Sequence, residues 1–281
     1  MPNNLPILRV VRSMRPLPAV AQQVLTMVQD PDYAIDELVD LVRTDPTLVA
    51  RILRLCNSAR CGLDQEISAI GDAITYVGTR NLVQLTLVSC SASTFAATGN
   101  GRYTDADGLW RHSLACALAC QELAQQTGLV PPATAFTAGI LHDVGRVALS
   151  QLPAAALEPP AEEMPHERVE RAVFGLDHAA VAGLVGDTWQ LPGALVAALR
   201  THHEPDAFAG DPLPAVLHLA DQLALQQGFA VPFGRATARI EPAALARLGL
   251  STSCLEELAA RAAAEMERTA ELLNLGARPC R

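Results

Sequence analysis

Aromatic residues are scarce in this chain of 281 residues, because Phe, Trp and Tyr together make up only 4% of it. A core must therefore be built from Ala, Leu and Val, which favours close-packed helices over a β-sandwich. Charged residues reach only 18%, while half of the chain is hydrophobic, and this balance excludes a wholly disordered protein. No apolar run reaches the ~18 residues that a membrane span requires.

Basic residues are outnumbered, since 21 Lys and Arg against 30 Asp and Glu give a formal net charge of −9. Such a balance argues against binding to a nucleic-acid backbone as the main function, and equally against docking on anionic lipid. The seven cysteines form no C-x-x-C pair, and the N-terminus has no continuous apolar segment typical of a secretory signal. We therefore expect a reduced, cytoplasmic protein with no nucleic-acid and no membrane partner.

Apolar residues recur at helical spacing along most of the chain, and we find no convincing alternating pattern typical of strands. Asp45 followed by Pro46 predicts a helix start, and Gly78 predicts a helix end. Residues 95–108 are polar and glycine-containing, which indicates a boundary between two parts of the chain. The predicted fold class is all-α with two helical lobes, an N-terminal lobe over residues 14–95 and a C-terminal lobe over 104–281.

Several helices of the second lobe can be placed from their periodicity and capping signals. Ser253, with Glu256 three residues later, predicts a capping box that opens a long final helix, and Gly276 is predicted to close it. The other predicted helices of this lobe include residues 107–126, 166–174, 178–189, 193–203 and 214–227.

Five of the seven histidines occur in a pattern that suggests chemistry, together with two aspartates. Imidazole combined with carboxylate suits divalent metals such as Zn, Fe, Mn or Ni. Adjacent helical residues diverge by about 100°, so a His-Asp doublet reaches one metal only near a helix end. Because inward faces of a helical bundle converge, we predict that these side chains meet around one polar site. They are His112, His142, Asp143, His178, His202, His203 and Asp221, whereas His166 and His218 are interpreted as ordinary core or surface residues.

The series His112, His142-Asp143 and Asp221 resembles the H…HD…D signature of the HD phosphohydrolase superfamily. His178 and the His202-His203 doublet are similar to the additional ligands of the HD-GYP phosphodiesterases. The chain as a whole, over about residues 15 to 225, resembles the HDOD family, the "HD-related output domain". The segments that carry this resemblance are 17–18, 45–48, 54–59, 67–74 and 77–78 in the first half, and 110–113, 138–145, 175–178, 189–192 and 202–203 in the second.

The resemblance implies a helical bacterial module of signal transduction, with an HD-like bundle as its second lobe. Many HDOD proteins have eroded metal sites, but here every position that matches a ligand still holds His or Asp. The chain departs from HD-GYP phosphodiesterases in two places. No Gly-Tyr-Pro loop follows His203, and Arg146 stands where those enzymes have Lys. Since Arg and Lys are not interchangeable at a tuned site, both departures weigh against hydrolysis of cyclic dinucleotides.

Two functions compete on this basis. In the first, which we favour, the protein is a regulatory module that binds a divalent metal or a nucleotide or phosphate ligand, contacts a signalling protein and is not an enzyme. In the second, it is a metal-dependent phosphohydrolase of nucleotides or cyclic nucleotides. Asp143 would then bridge or orient the attacking water, and Arg146 would face the phosphate together with His202 and His203. A nucleic-acid regulator is disfavoured by the charge.

Overall fold

A computed structural model describes residues 4–28, 33–58, 67–98, 103–153, 165–229 and 238–272. The described residues form α-helices and one short 3-10 helix, with no strand among them, so the predicted all-α fold class is confirmed. None of their helices combines the length and apolar character needed to cross a bilayer. The helices are α1 (Leu5–Ser13), α2 (Ala19–Met27), α3 (Ile35–Arg43), α4 (Pro46–Ser58), α5 (Ile70–Phe95), α6 (Ala106–Thr127), α7 (Pro132–Leu141), α8 (Val144–Ser150), α9 (His166–Phe174), α10 (His178–Thr188), α11 (Gly193–Thr201), the 3-10 helix (Pro205–Ala209), α12 (Pro212–Gln226), α13 (Pro242–Leu248) and α14 (Thr252–Leu272).

Local capping signals decide several of these boundaries. The Oδ1 of Asp45 accepts hydrogen bonds from the amides of Thr47 and Leu48 at 2.9 and 3.0 Å, which confirms the predicted start of α4. Gly78 has φ 80° and ψ 158°, so the helical run is broken there as predicted, although a further helical segment follows directly. These contacts are local in sequence, which explains why the pattern alone predicts them.

The capping box predicted at Ser253 is wrong. The cap of α14 is Ser251, whose Oγ accepts a hydrogen bond from the Cys254 amide at 3.2 Å, and Ser253 lies inside the helix. Two serines two residues apart offer alternative caps, and the sequence does not say which one precedes the first turn. Gly276, predicted to close this helix, lies outside the described residues.

One hydrophobic cluster contains buried residues from both predicted lobes, such as Leu25 and Ile52 from the first and Leu118 and Leu217 from the second. The N-terminal helix α1 also crosses to the second half, where it packs against α8 and α10. The division into lobes at residues 14–95 and 104–281 therefore stays a prediction.

Two glycines set the distances between the helices that matter for the histidines. A Cβ at Gly139 would lie 2.4 Å from the Cα of Ala117, so only glycine lets α7 pack this closely on α6. A Cβ at Gly145 would lie 2.0 Å from the backbone oxygen of His178, so α8 and α10 also approach each other more closely than a side chain would allow. Helix α12 packs on α6 and α7 from another side. The helices carrying the histidines and aspartates thus surround one interior region.

Candidate metal centre

The structure brings all seven sequence-selected side chains together. His112 lies within α6, and Asp221 lies within α12. The other five stand at helix ends, where the backbone changes direction and adjacent residues can point to one centre. His142 ends α7 and Asp143 precedes α8, while His178 begins α10 and His202-His203 follow α11. Six of them are at most 5% exposed, and His203 is the partly exposed member.

Four of these histidines are anchored through Nδ1, so that Nε2 faces the interior. The Nδ1 of His142 lies 2.8 Å from the Gly139 carbonyl, and that of His202 lies 2.9 Å from the Leu199 carbonyl. His112 uses the Phe229 carbonyl at 2.6 Å. His178 uses a carboxylate, with its Nδ1 2.6 Å from Glu170 Oε2. Metal-binding histidines show this arrangement, because the bond at one nitrogen fixes the tautomer and aims the other.

The inward-facing atoms are spaced as ligands around an ion would be. Two ligands at about 2.1 Å from one ion, separated by an angle of about 90° to 109°, lie about 3.0 to 3.4 Å apart. The Nε2 of His112 lies 3.2 Å from His142 Nε2 and 3.1 Å from Asp221 Oδ1. On the other side, the Nε2 of His178 lies 3.3 Å from Asp143 Oδ1 and 2.9 Å from His203 Nε2.

Asp143 stands between these two sets of atoms. Its Oδ2 lies 3.7 Å from His112 Nε2 and 3.6 Å from His142 Nε2, and its Oδ1 faces His178. Three overlapping groups have ligand atoms within 4.8 Å of one another and could hold a metal ion. They are His112 with His142 and Asp221; His142 with Asp143 and His202; and His178 with His202 and His203.

Two buried atoms of this cluster have no hydrogen-bond partner within the described part of the chain, namely His202 Nε2 and Asp143 Oδ2. Burial, reinforced by the neighbouring His142 and His178, lowers the pKa of His202 to about 3, so the imidazole is neutral. Because its Nδ1 carries the proton and donates it to the Leu199 carbonyl, its Nε2 has a free lone pair. A buried lone pair beside an unpartnered carboxylate oxygen costs free energy unless a cation or proton fills the gap. The donor set therefore fits a divalent metal.

The other titratable groups of the cluster differ in whether burial or neighbouring charge decides the direction of the pKa shift. Burial raises the pKa of Asp143, but Arg146 and the surrounding histidines outweigh it and hold that pKa well below its usual range. Asp221 behaves alike, because the hydrogen bond and charge of His112 overcome its burial and lower its pKa. In return, Asp221 raises the pKa of His112 against the effect of burial. For His142 burial prevails, and its pKa is lowered.

Arg146 and Glu170 form a buried layer behind the cluster. The guanidinium of Arg146 donates from Nε to Asp143 Oδ1 and from Nη1 to Glu170 Oε1, both at 2.9 Å. Its Nη2 lies 3.2 Å from the Nδ1 of His166. Glu170 also accepts from the hydroxyl of Tyr103 at 2.5 Å. Burial would raise the pKa of Glu170, yet His178 and Arg146 lower it to about 2, so it stays a carboxylate.

Glu170 was not selected from the sequence, and nothing in the surrounding residues distinguishes it from a surface acid of α9. His166, interpreted as an ordinary residue, lies buried against Arg146 in the same layer. His218 is a buried residue whose Nδ1 lies 3.1 Å from the His202 carbonyl and whose Nε2 accepts from the Glu241 amide at 3.3 Å. The interpretation of His218 as a core residue is therefore confirmed.

The cluster meets solvent at His203. This side chain lines a groove of about 340 Å³ together with Arg168, Arg171, Asp206 and two glutamates, Glu167 and Glu204. Arg171 is engaged by Asp177 at 2.5 Å. A ligand that approaches the cluster from this side meets acidic and basic groups together, with the acids in the majority.

Comparison with known proteins agrees with this architecture. The model of the HDOD domain matches residues 14–205, a range that includes six of the seven cluster residues and leaves Asp221 beyond its end. An HDOD domain protein of unknown function from Geobacter sulfurreducens superposes with a TM-score of 0.74 at 24% identity, covering 94% of this chain and 96% of the other.

Two further proteins are similar over much of the chain. A protein from Shewanella amazonensis SB2B, named as a candidate phosphohydrolase, superposes with a TM-score of 0.68 at 25% identity over 96% of this chain and 97% of its own. An uncharacterised protein of Treponema pallidum (strain Nichols) is 26% identical over 195 residues, which are 66% of this chain and 37% of that protein. The chain thus spans little more than a third of this relative's length. With the HDOD model matching more than half of its residues, the chain belongs to the HDOD family.

Proposed function

We propose that this protein is a signal-transduction module of the HDOD type that holds divalent metal in its His/Asp cluster and acts by binding, not by turnover. The observation that carries the proposal is the convergence of the buried Nε2 atoms on two carboxylates, with each anchored imidazole held by a hydrogen bond at Nδ1. The proposed ligands are His112, His142, Asp143, His178, His202, His203 and Asp221, and the ion belongs to the class of Fe, Mn, Zn or Ni.

The charge of the interior supports a divalent cation. Asp143, Glu170 and Asp221 are buried carboxylates, and Arg146 is the guanidinium paired with two of them. Metal binding would displace the protons from its imidazole ligands, and the carboxylates would then leave an excess of negative charge in a low-dielectric region, which a divalent ion would balance. A metal bound here would polarise an oxygen ligand and lower the pKa of a bound water.

The position of Arg146 supports binding over turnover. Phosphoryl transfer depends on cationic groups placed at the phosphate oxygens. Three nitrogens of Arg146 face Asp143, Glu170 and His166, so the guanidinium stabilises the cluster from behind. The chain has no lysine that could take over such a role, since all 21 of its basic residues are arginines. We therefore assign to Arg146 the positioning of Asp143.

Metal-dependent phosphohydrolysis is the second candidate, with nucleotides or cyclic nucleotides as substrates. It is favoured by Asp143, whose two oxygens face histidines on opposite sides and could serve two ions at once. The candidate phosphohydrolase from Shewanella amazonensis shares the fold and a quarter of the aligned residues. In this mechanism Asp143 would orient a nucleophilic water, and His203 at the opening would contact the substrate.

Elemental analysis of the full chain purified without chelator tests both candidates. We expect bound divalent metal in the parent protein and its loss in the isosteric variants Asp143→Asn and Asp221→Asn. Asp40→Asn is the matched control, because that aspartate is 75% exposed in a surface ion pair with Arg43. Absence of metal after reconstitution with Mn, Fe and Zn would remove the basis of both functions.

Activity assays separate the two candidates. We expect the metal-loaded protein to show no turnover of nucleotides, cyclic nucleotides or generic phosphoesters above the metal-free background. Turnover that disappears in Asp143→Asn but persists in Asp40→Asn would assign the phosphohydrolase function instead. A signalling protein as partner is part of the first proposal, and capture of such a protein by the metal-loaded chain but not by Asp143→Asn would support it.

A further inference from the structure

A cavity of about 680 Å³ lies between the N-terminal helices and the turn that joins α6 to α7. None of the seven cluster residues lines it. Cavities of this size commonly hold small-molecule ligands, and they often occur where two parts of a chain meet. The residues that matter for its chemistry are Tyr33 from the N-terminal side, Gln84 from α5, Gln121 and Gln125 from α6, Leu129 from the turn and Phe136 from α7.

Among the described residues, the lining of this cavity carries no formal charge. Its polar side chains are the hydroxyl of Tyr33 and the amides of Gln84, Gln121 and Gln125, and the other lining residues are apolar or glycine. A phosphate or carboxylate placed here would leave water without meeting a cation, which is costly. The cavity therefore selects an uncharged ligand.

Two of the amides are buried and already paired with each other. Gln84 is 8% exposed and Gln121 is 3% exposed, and the Nε2 of Gln84 donates to the Oε1 of Gln121. This bond leaves the Oε1 of Gln84 as an acceptor and the Nε2 of Gln121 as a donor. Neither atom belongs to the fully buried polar atoms of the described residues, so both can be reached by a ligand. If the oxygen and nitrogen of both side-chain amides exchange places, Gln84 offers the donor and Gln121 the acceptor. The pair then still presents one donor beside one acceptor.

A complementary ligand presents an acceptor next to a donor on one flat edge and apolar faces on either side. Nucleobases and related lactams have such edges, and their ring faces pack well on aromatic and aliphatic side chains such as Phe136 and Leu129. We propose that this cavity binds a neutral planar heterocycle of the nucleobase class through the paired amides of Gln84 and Gln121.

A second cavity, of about 690 Å³, shares Tyr33 with the first and offers room for an uncharged substituent such as a sugar. Its polar lining includes three more glutamines, Gln22, Gln23 and Gln190, and the one charged residue among its described lining residues is Glu37. No described lining residue of either cavity is a cation, so a nucleoside fits better than a nucleotide.

Calorimetric titration of the full chain with adenosine, guanosine, cytidine, uridine and their free bases tests the proposal. We expect at least one of them to bind with a dissociation constant below about 1 mM, and its 5′-monophosphate to bind about tenfold more weakly or worse. The double variant Gln84→Leu/Gln121→Leu should weaken binding by about tenfold or more. Replacing both hydrogen-bond partners by apolar groups of similar shape leaves stability nearly unchanged. Gln226→Leu, at an exposed position of α12, is the matched control.

A second variant keeps the test valid if the double variant folds poorly. Ala133→Phe places a ring at the wall of the cavity without altering either amide, and it should also abolish binding. Asp40→Asn should leave binding unchanged, because this exposed aspartate lines neither cavity. The proposal is overturned if no member of the panel binds, or if the monophosphate binds more tightly than the nucleoside. It is also overturned if both cavity variants bind as tightly as the parent protein, or if Asp40→Asn loses binding.

Discussion

Glu170 holds His178 at two points, accepting a hydrogen bond from its Nδ1 at 2.6 Å and another from its backbone amide at 2.7 Å. The ring and the first turn of α10 are thereby fixed by one carboxylate oxygen. Carboxylates in this position orient a metal-binding imidazole and increase its basicity. The residue that sets the direction of His178 Nε2 is thus a glutamate eight positions earlier in the chain.

Glu170→Gln tests this relationship. The neutral amide keeps the shape of the side chain but loses the charge that faces His178 and Arg146. We expect affinity for the divalent ion to fall by about 10- to 100-fold, as measured by competition with a chromophoric chelator. Glu167→Gln is the matched control, because Glu167 lies one turn earlier in α9 and is partly exposed. Equal affinities in the two variants would show that His178 needs no help from Glu170.

Arg146→Met tests whether the guanidinium is structural. The substitution keeps much of the apolar stem but leaves Asp143 and Glu170 as buried carboxylates without their cation. We expect the free energy of unfolding to fall by about 3 to 5 kcal/mol, as measured by urea denaturation of the metal-free protein. Arg168→Met, at an exposed position of the groove beside His203, should change it by less than about 0.5 kcal/mol.

The unfolding free energies of these two variants also distinguish a positioning role of Arg146 from direct contact with a phosphate. A group that contacts phosphate would tolerate Met with little loss of stability, since its partner would be the substrate. Unchanged unfolding free energy in Arg146→Met would therefore contradict the positioning role and return this residue to the phosphohydrolase mechanism.

The seven cluster residues could be selected from the sequence because their order and neighbouring residues are distinctive. His142 and Asp143 share a doublet at a predicted helix end, and the resemblance to a known ligand order supplies the rest. The all-α class follows from the periodicity, which is a local property. Convergence of the side chains could only be expected, because it depends on how α6, α7, α10, α11 and α12 pack.

The layer behind the cluster could not be predicted in the same way. Glu170 lies in a polar helix where alternate charges are typical of a solvated face, and only the packing of α9 turns it inward. The sequence places Arg146 at the phosphate in the phosphohydrolase function, since nothing in its sequence position shows that a buried carboxylate from another helix engages it. Long-range pairing of buried charges depends on tertiary contacts that local patterns do not encode.

Gly145→Ala tests how closely α8 must approach α10. The added Cβ would lie 2.0 Å from the His178 carbonyl oxygen, a backbone atom that cannot move aside without shifting α10. We expect a loss of about 1 to 3 kcal/mol in the free energy of unfolding, together with weaker metal binding, because Asp143 and His178 are displaced relative to each other.

Gly193→Ala is the matched control for this substitution. Gly193 is the first residue of α11, and a Cβ there meets no atom within 4 Å. Alanine should leave stability unchanged or raise it by up to about 1 kcal/mol, because it restricts the unfolded chain without a clash. Equal stability of the two variants, measured by urea denaturation, would show that the contact between α8 and α10 is looser than the structure indicates.

Acid should destabilise the metal-free protein as the pH falls below about 6.5. Burial, reinforced by neighbouring charges, lowers the pKa of His166 and of His202 to about 3, whereas both titrate near 6.5 when unfolded. Between these values the unfolded chain binds more protons, so stability rises with pH by up to about 1.4 kcal/mol per unit for each residue. His112 and His178 have raised pKa values and act in the opposite direction, but only above about 6.5.

Urea denaturation in the presence of chelator, repeated between pH 5 and 7.5, measures this dependence. In His202→Gln one of the imidazoles with a depressed pKa is gone, so the slope below pH 6.5 should decrease by up to about 1.4 kcal/mol per pH unit. An unchanged slope would mean that His202 accepts a proton normally inside the folded protein. Its Nε2 would then be a hydrogen-bond donor in the folded state, and the free lone pair that the proposed metal centre requires would not exist.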